Sequence, residues 1–198
     1  MRHGETFFNT QGRVQGACDS PLTDAGLAQA QLAKSYFDKN NIRFDAIYSS
    51  TQERAADTAR LISGQEPIQL KGLKEMNFGE FEAQPENLLP KFRPGSRFFE
   101  DLLVPFGGED IYDVGKRVRK SIDEHLQGSD VGSVLMVSHG AAMWGLCLEL
   151  ALNFPEEVGF SNCAICEFHY NAGSYAIQKL VLPTKNFQTI EFRETNHD

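Results

Sequence analysis

No run of about 18 apolar residues interrupts this sequence, so none of it reads as a helix crossing a bilayer. Positive charge is also in short supply. The 19 Lys and Arg face 27 Asp and Glu, a formal net charge of -8, and the basic footprint that nucleic acid requires is missing. Cysteine is limited to Cys18, Cys147, Cys163 and Cys166, and no secretory signal is visible, which implies a reducing, cytoplasmic setting. Cys163 and Cys166 form a C-x-x-C, but no second ligand pair follows them and they lie inside the apolar run NCAICEFHY. Buried free thiols are therefore the expectation, rather than a zinc or redox pair. Repeats and low-complexity segments are absent. What is left is one expected domain, 1–198, large enough to bury a core without disulfides or a structural metal.

Periodicity supplies the elements. Thr23 can cap a helix running to about Asn40, with Leu27, Ala30, Ala33 and Phe37 on one face. The strand FDAIYSS follows. Ser50 and Glu53 have capping-box spacing for a helix to about Ser63, with Ala55, Ala59 and Ile62 inward. A short extended piece spans Ile68 to Leu70. Residues 86–108, rich in Pro, Gly, Phe and Arg, read as an irregular insertion or lid. Helix returns from Glu109 to Leu126. SVLMVS then has the look of a strand buried on both faces, followed by a helix from about Gly140 to Leu152. Strand-like segments at Ala164 to Tyr170 and Tyr175 to Leu182 precede a polar tail after Pro183. Alternating strands and helices imply an α/β class, a three-layer α/β/α sandwich around a mostly parallel sheet.

Two histidines sit beside glycine in polar turns, in Arg2-His3-Gly4-Glu5-Thr6 and Ser138-His139-Gly140. The second follows an apolar strand and opens a helix, which places His139 at the carboxyl end of a strand, where α/β folds bind ligands. Arg54 occupies the equivalent place after FDAIYSS. Helix N–H groups starting near Gly140 would add to an anion site. Imidazoles, arginines and a helix N-terminus together describe a pocket for a phosphate dianion. Imidazole is neutral near pH 7 yet nucleophilic, so His3 can attack phosphorus while Arg2, Arg54 and His139 neutralise the equatorial oxygens. This chemistry requires no metal.

The run R-H-G-E-T, with Asn9, Arg13, Gln15-Gly16 and PLTDAG at 21–26, resembles the amino-terminal signature of the histidine phosphatase (phosphoglycerate mutase-like) superfamily. SSTQERAADTA at 49–59, KEMNFGEFE at 74–82, GGED at 107–110 and VSHGAAM at 137–143 match in order. Ordered motifs over nearly the whole chain are far more specific than R-H-G alone. The resemblance implies that His3 is the phosphorylated nucleophile. It places Arg2, Arg54, His139 and Gly140 in the phosphate pocket, sets Asn9 against the phosphoryl group, and makes Glu75 the acid that protonates the leaving oxygen and later activates water. Members with aspartate after the second histidine use that residue as the acid; here Gly140 stands there, which favours Glu75. Glu80 and Glu82 are the nearby alternatives.

The expected activity is hydrolysis of a small phosphomonoester. Phosphoglycerate mutase activity, which would need a bisphosphoglycerate primer, is the alternative within the class, and a silent phosphate-binding module is the alternative outside it. No other cofactor, nucleic acid or membrane partner is expected, and either a monomer or a homodimer fits. Arg13, Gln15 and Gly16 are candidate substrate contacts or loop-shaping residues. Arg93 and Arg97 either grip a second anionic group under a lid or belong to a cluster covering the core edge. His125 and His169 read as structural, and His197 as part of the tail. Family members also carry an apolar strand directly before R-H-G, which this sequence lacks ahead of Arg2.

Overall fold

The computed structural model describes residues 1–152, 154–155 and 158–192. Thr23 caps α2 (Asp24–Lys39), its hydroxyl accepting from the Gly26 amide at 3.0 Å. β1 (Ala46–Ser50), α3 (Glu53–Ser63) and β2 (Ile68–Leu70) follow, and then α4 (Ile111–Leu126), β3 (Val134–Val137) and α5 (Gly140–Glu149). A one-turn helix, α1 (Phe7–Thr10), precedes them all. β2, β1 and β3 form a parallel sheet in that order. Its alternating side chains separate two helical layers. Ile47, Leu135 and Val137 pack with Phe37, Ala59 and Ile62 from α2 and α3. On the opposite face, Tyr48 and Leu70 pack with Val114, Val118 and Leu146 from α4 and α5. The three-layer expectation holds.

The rest of the sheet structure is antiparallel: β4 (Ile165–Asn171), β5 (Ser174–Leu182) and β6 (Gln188–Glu191). β6 lies in the polar tail, where no apolar alternation marks it; three of its four residues are exposed. The capping box expected at Ser50 and Glu53 is not formed. Gln52 is the N-cap residue of α3 and makes no side-chain cap bond, because the Ser50 hydroxyl is directed at His139, 2.6 Å away. His125 turns inward as expected, its Nδ1 donating to Ser121 O at 2.8 Å and its ring edge-on to Tyr48. His197 lies outside the described residues.

Residues 1–3 tie the two sheets together. Ser138 donates to Met1 O at 2.8 Å and accepts from the His3 amide at 3.1 Å, while Arg2 N donates to Ala164 O and Cys163 N to His3 O. Past this junction β3 and β4 face each other across a cavity of about 820 Å³, lined among others by Leu135, Met136, Cys166 and Phe168. The Met1 ammonium is buried at the junction and donates to Met136 O at 2.6 Å.

Candidate active site

His3 leaves the junction at the carboxyl end of β3, and its ring is 3% exposed. Its Nδ1 contacts only an acceptor, Gly4 O at 2.7 Å, so that nitrogen carries the proton and Nε2 keeps the lone pair. Two glycines allow this turn to pack. A Cβ on Gly4 would come within 2.6 Å of Gly26 O, and one on Gly26 within 2.1 Å of Glu5 O. R-H-G and the glycine of PLTDAG are therefore a single contact read twice in the sequence. Burial, then Arg54 and Arg2, hold the His3 pKa well below its ordinary 6.5.

Arg54 enters from the first turn of α3 and is fully buried. Its Nε–H donates to His3 Nε2 at 3.3 Å. One terminal nitrogen reaches Cys18 O and Asp19 Oδ1, and the other Gln15 O and Gly16 O. Every N–H of the guanidinium is thus engaged, four of them by the loop of residues 15–19. Arg54 faces the nucleophile itself and does not line the adjoining cavity, which departs from its expected place as a phosphate ligand.

His139 is buried with its ring centroid 5.1 Å from that of His3. Its Nε2 meets Ser50 Oγ, while its Nδ1 has no hydrogen-bond partner. Burial first, then Arg54, His3 and Arg2, push its pKa well below 6.5. Arg2 is similar: one terminal nitrogen donates to Phe160 O at 2.7 Å, and its buried Nε is unpartnered.

Glu75 reaches the same place from an irregular segment after β2. Its Oε1 accepts from the Met76 and Ala142 amides at 2.9 and 2.8 Å, and its Oε2 from Ala141 at 3.2 Å. The Ala141 and Ala142 amides, part of the α5 N-terminus expected to meet a bound anion, are held by this carboxylate, because Glu75 reaches the helix N-terminus. Arg2, His3, Asn9, Arg13, Gln15, Glu75 and Gly140 line a cavity of about 200 Å³ with Phe78, Glu86 and Leu89.

Arg93 and Arg97 do not line it, which corrects their candidacy as substrate contacts. Arg93 pairs with Glu100 and Asp101, and Arg97 lies over Trp144 at 5.2 Å while donating to Val158 O. Their aromatic neighbours pack on the core edge, and it is Glu86 and Leu89, at the start of the 86–108 segment, that reach the cavity. Glu82 stands outside it as well. Its carboxylate takes the amides of Gly16, Ala17, Cys18 and Phe78, which makes it the clamp of the loop that holds Arg54. Sequence reading also missed Ser50, Gln52 and Asn162. Gln52 ties Gly16 O to the Glu75 amide, and Asn162 donates to Asn9 Oδ1 at 3.3 Å. The C-x-x-C thiols are free, and burial pushes both up to about 12.

A model of the histidine phosphatase superfamily (branch 1) matches residues 1–183. The chain belongs to that superfamily. Among relatives of this chain, a probable phosphoglycerate mutase GpmB of Yersinia pestis (strain Pestoides F) is 31% identical over 182 residues, 86% of this chain and 83% of that protein. A phosphoglycerate mutase structure from Bacillus anthracis str. Sterne superposes with a TM-score of 0.73 at 28% identity, covering 89% of this chain and 88% of the other. A phosphoserine phosphatase from Entamoeba histolytica, solved with 3-phosphoglyceric acid, gives 0.71 at 29%, covering 90% and 93%. Phosphatases and mutases thus both stand close to this fold, and phosphoryl transfer is the chemistry common to them.

Proposed function

We propose that this chain hydrolyses a small phosphomonoester through a phosphohistidine on His3. The observation that carries the reading is an unprotonated imidazole nitrogen in a site with unpartnered buried polar atoms. Nε2 of His3 accepts from Arg54 Nε, and Arg2 Nε and His139 Nδ1 are buried without partners. Buried donors left unpaired are costly, by about 1–3 kcal/mol each. A phosphoryl oxygen is a fitting partner for Arg2 Nε, and for His139 Nδ1 in the tautomer in which Ser50 donates to Nε2.

The first half-reaction forms the Nε2–P bond and breaks the P–O bond to the alcohol, whose oxygen takes the Glu75 proton. Oε2, with its single longer hydrogen bond, is the oxygen suited to carry that proton. As the lone pair is spent, the Arg54 Nε–H that it accepted becomes available to a phosphoryl oxygen. In the second half, Glu75 takes a proton from water, the water oxygen bonds to phosphorus, and the N–P bond breaks to release phosphate. A cavity of about 200 Å³ fits a compact substrate. Positive charge comes from the chain, so the reaction needs no metal.

Incubation with labelled substrate is expected to leave phosphate on His3 that survives alkali and is lost in acid. His3→Asn should abolish the label and cut turnover by at least about a thousandfold, and a chelator should change neither. A folded protein that neither labels nor turns over any phosphomonoester would instead be an anion-binding module. Turnover that appears only with a bisphosphoglycerate primer would make it a mutase.

A further inference from the structure

The GGED motif at 107–110 contributes no atom to the cavity at His3, yet it builds the support under Glu75. The chain around Glu75, a 3-10 turn at Lys71–Leu73 and an irregular stretch on to Phe78, belongs to no sheet ladder. Three of its carbonyls, with the amide and carbonyl of Asn77, are held by the two residues of one ion pair. Arg117, on α4, donates from one terminal nitrogen to Gly72 O at 3.0 Å and Lys74 O at 2.7 Å, and from the other to Glu75 O at 2.9 Å. Its remaining N–H groups grip Glu109, Nε to Oε1 at 2.8 Å and the second terminal nitrogen to Oε2 at 2.9 Å. Glu109 then completes the hold from beyond Glu75, because Oε2 accepts from Asn77 N at 2.8 Å and its own amide donates to Asn77 O at 2.9 Å.

The other motif residues make this approach possible. Gly107 takes a left-handed φ of 75°. Gly108 has no room for a side chain, since a Cβ there would meet Leu103 at 2.7 Å and Asn77 O at 2.9 Å. Asp110 caps α4 through the Tyr112 amide at 2.8 Å, fixing the helix that presents Arg117.

We propose that Arg117 and Glu109 are a positioning pair for the acid of the reaction, setting the distance of the Glu75 carboxyl from the leaving oxygen without touching substrate. The inference rests on Glu75 acting as that acid. Arg117 places all five N–H groups in one plane against three carbonyls and a carboxylate, an arrangement that a lysine ammonium cannot reproduce. Proton transfer is sensitive to such placement, and an ångström of error can cost about a hundredfold.

A positioning role predicts a loss that depends on the leaving group, whereas a purely structural role does not. Arg117→Lys, Arg117→Met and Glu109→Gln should be compared with the unaltered protein in single-turnover formation of the His3 phosphoenzyme, using an alkyl phosphate and 4-nitrophenyl phosphate. The nitrophenolate departs with little need for a proton. With the alkyl ester the rate should fall by about ten- to a hundredfold, with KM moving less than about threefold. With the nitrophenyl ester it should fall by no more than about threefold. The double variant Arg117→Met/Glu109→Gln should be little worse than either single one, as expected for groups acting as a unit.

Equal losses on both esters, in variants that keep the unaltered circular dichroism and melting profile, would overturn the proposal. If Arg117→Met fails to fold, Glu109→Gln decides, because it keeps the size of the side chain while replacing one accepting oxygen with a donating NH2. Failure of the underlying reading looks different: the unaltered protein would form no His3 phosphoenzyme from either ester.

Discussion

At the scale of single residues, two histidines are buried in the neutral form beside two arginines, and this ties stability to pH. Both pKa values lie well below 6.5 in the folded chain and return to that value on unfolding. Above pH 6.5 neither state binds these protons and nothing is lost. As pH falls through 6.5, the unfolded chain takes up protons that the folded chain refuses, so stability drops with a slope of up to two protons. Urea midpoints measured from pH 8 to 5 should therefore decline below about 6.5. His3→Asn should make the decline shallower, and an unchanged slope in that variant would show that His3 is not held neutral. Motif position anticipated that His3, Arg54 and His139 lie side by side, yet of these three only His3 lines the cavity, together with Glu75. It could not show that Arg54 has every donor engaged. Three of those partners are backbone carbonyls of a loop about 35 residues away in sequence, and carbonyls carry no side-chain signature.

At the scale of elements, the helices were legible from their inward stripes and from the Thr23 cap, because side-chain periodicity is a local property. The first turn of α3 was misread for a matching reason. Ser50 has the spacing of a cap, but a partner 89 residues away claims its hydroxyl. β6 escaped because an edge strand with polar side chains shows no alternation. Arg93 and Arg97 looked like anion ligands in a segment whose composition says lid, yet acidic and aromatic neighbours engage both. The contact between the first turn and α2 is the element-scale feature most exposed to a single change. Gly26→Ala places a methyl group against Glu5 O, so α2 must shift off the R-H-G turn. The expected cost is about 1–3 kcal/mol, measurable as a lower denaturant midpoint with an unaltered m-value. Activity should suffer along with it, since the turn that moves carries His3. A variant with native stability would mean that α2 and the turn slide apart freely.

For the molecule as a whole, the layer order was legible because β1 and β3 divide their side chains between two helical faces. The separation of the parallel and antiparallel sheets was not, since it depends on how strands distant in sequence are placed beside one another. That separation has a consequence for the backbone. The space of about 820 Å³ between β3 and β4 is open to water, so the sheet edges that face it are solvated rather than paired with one another.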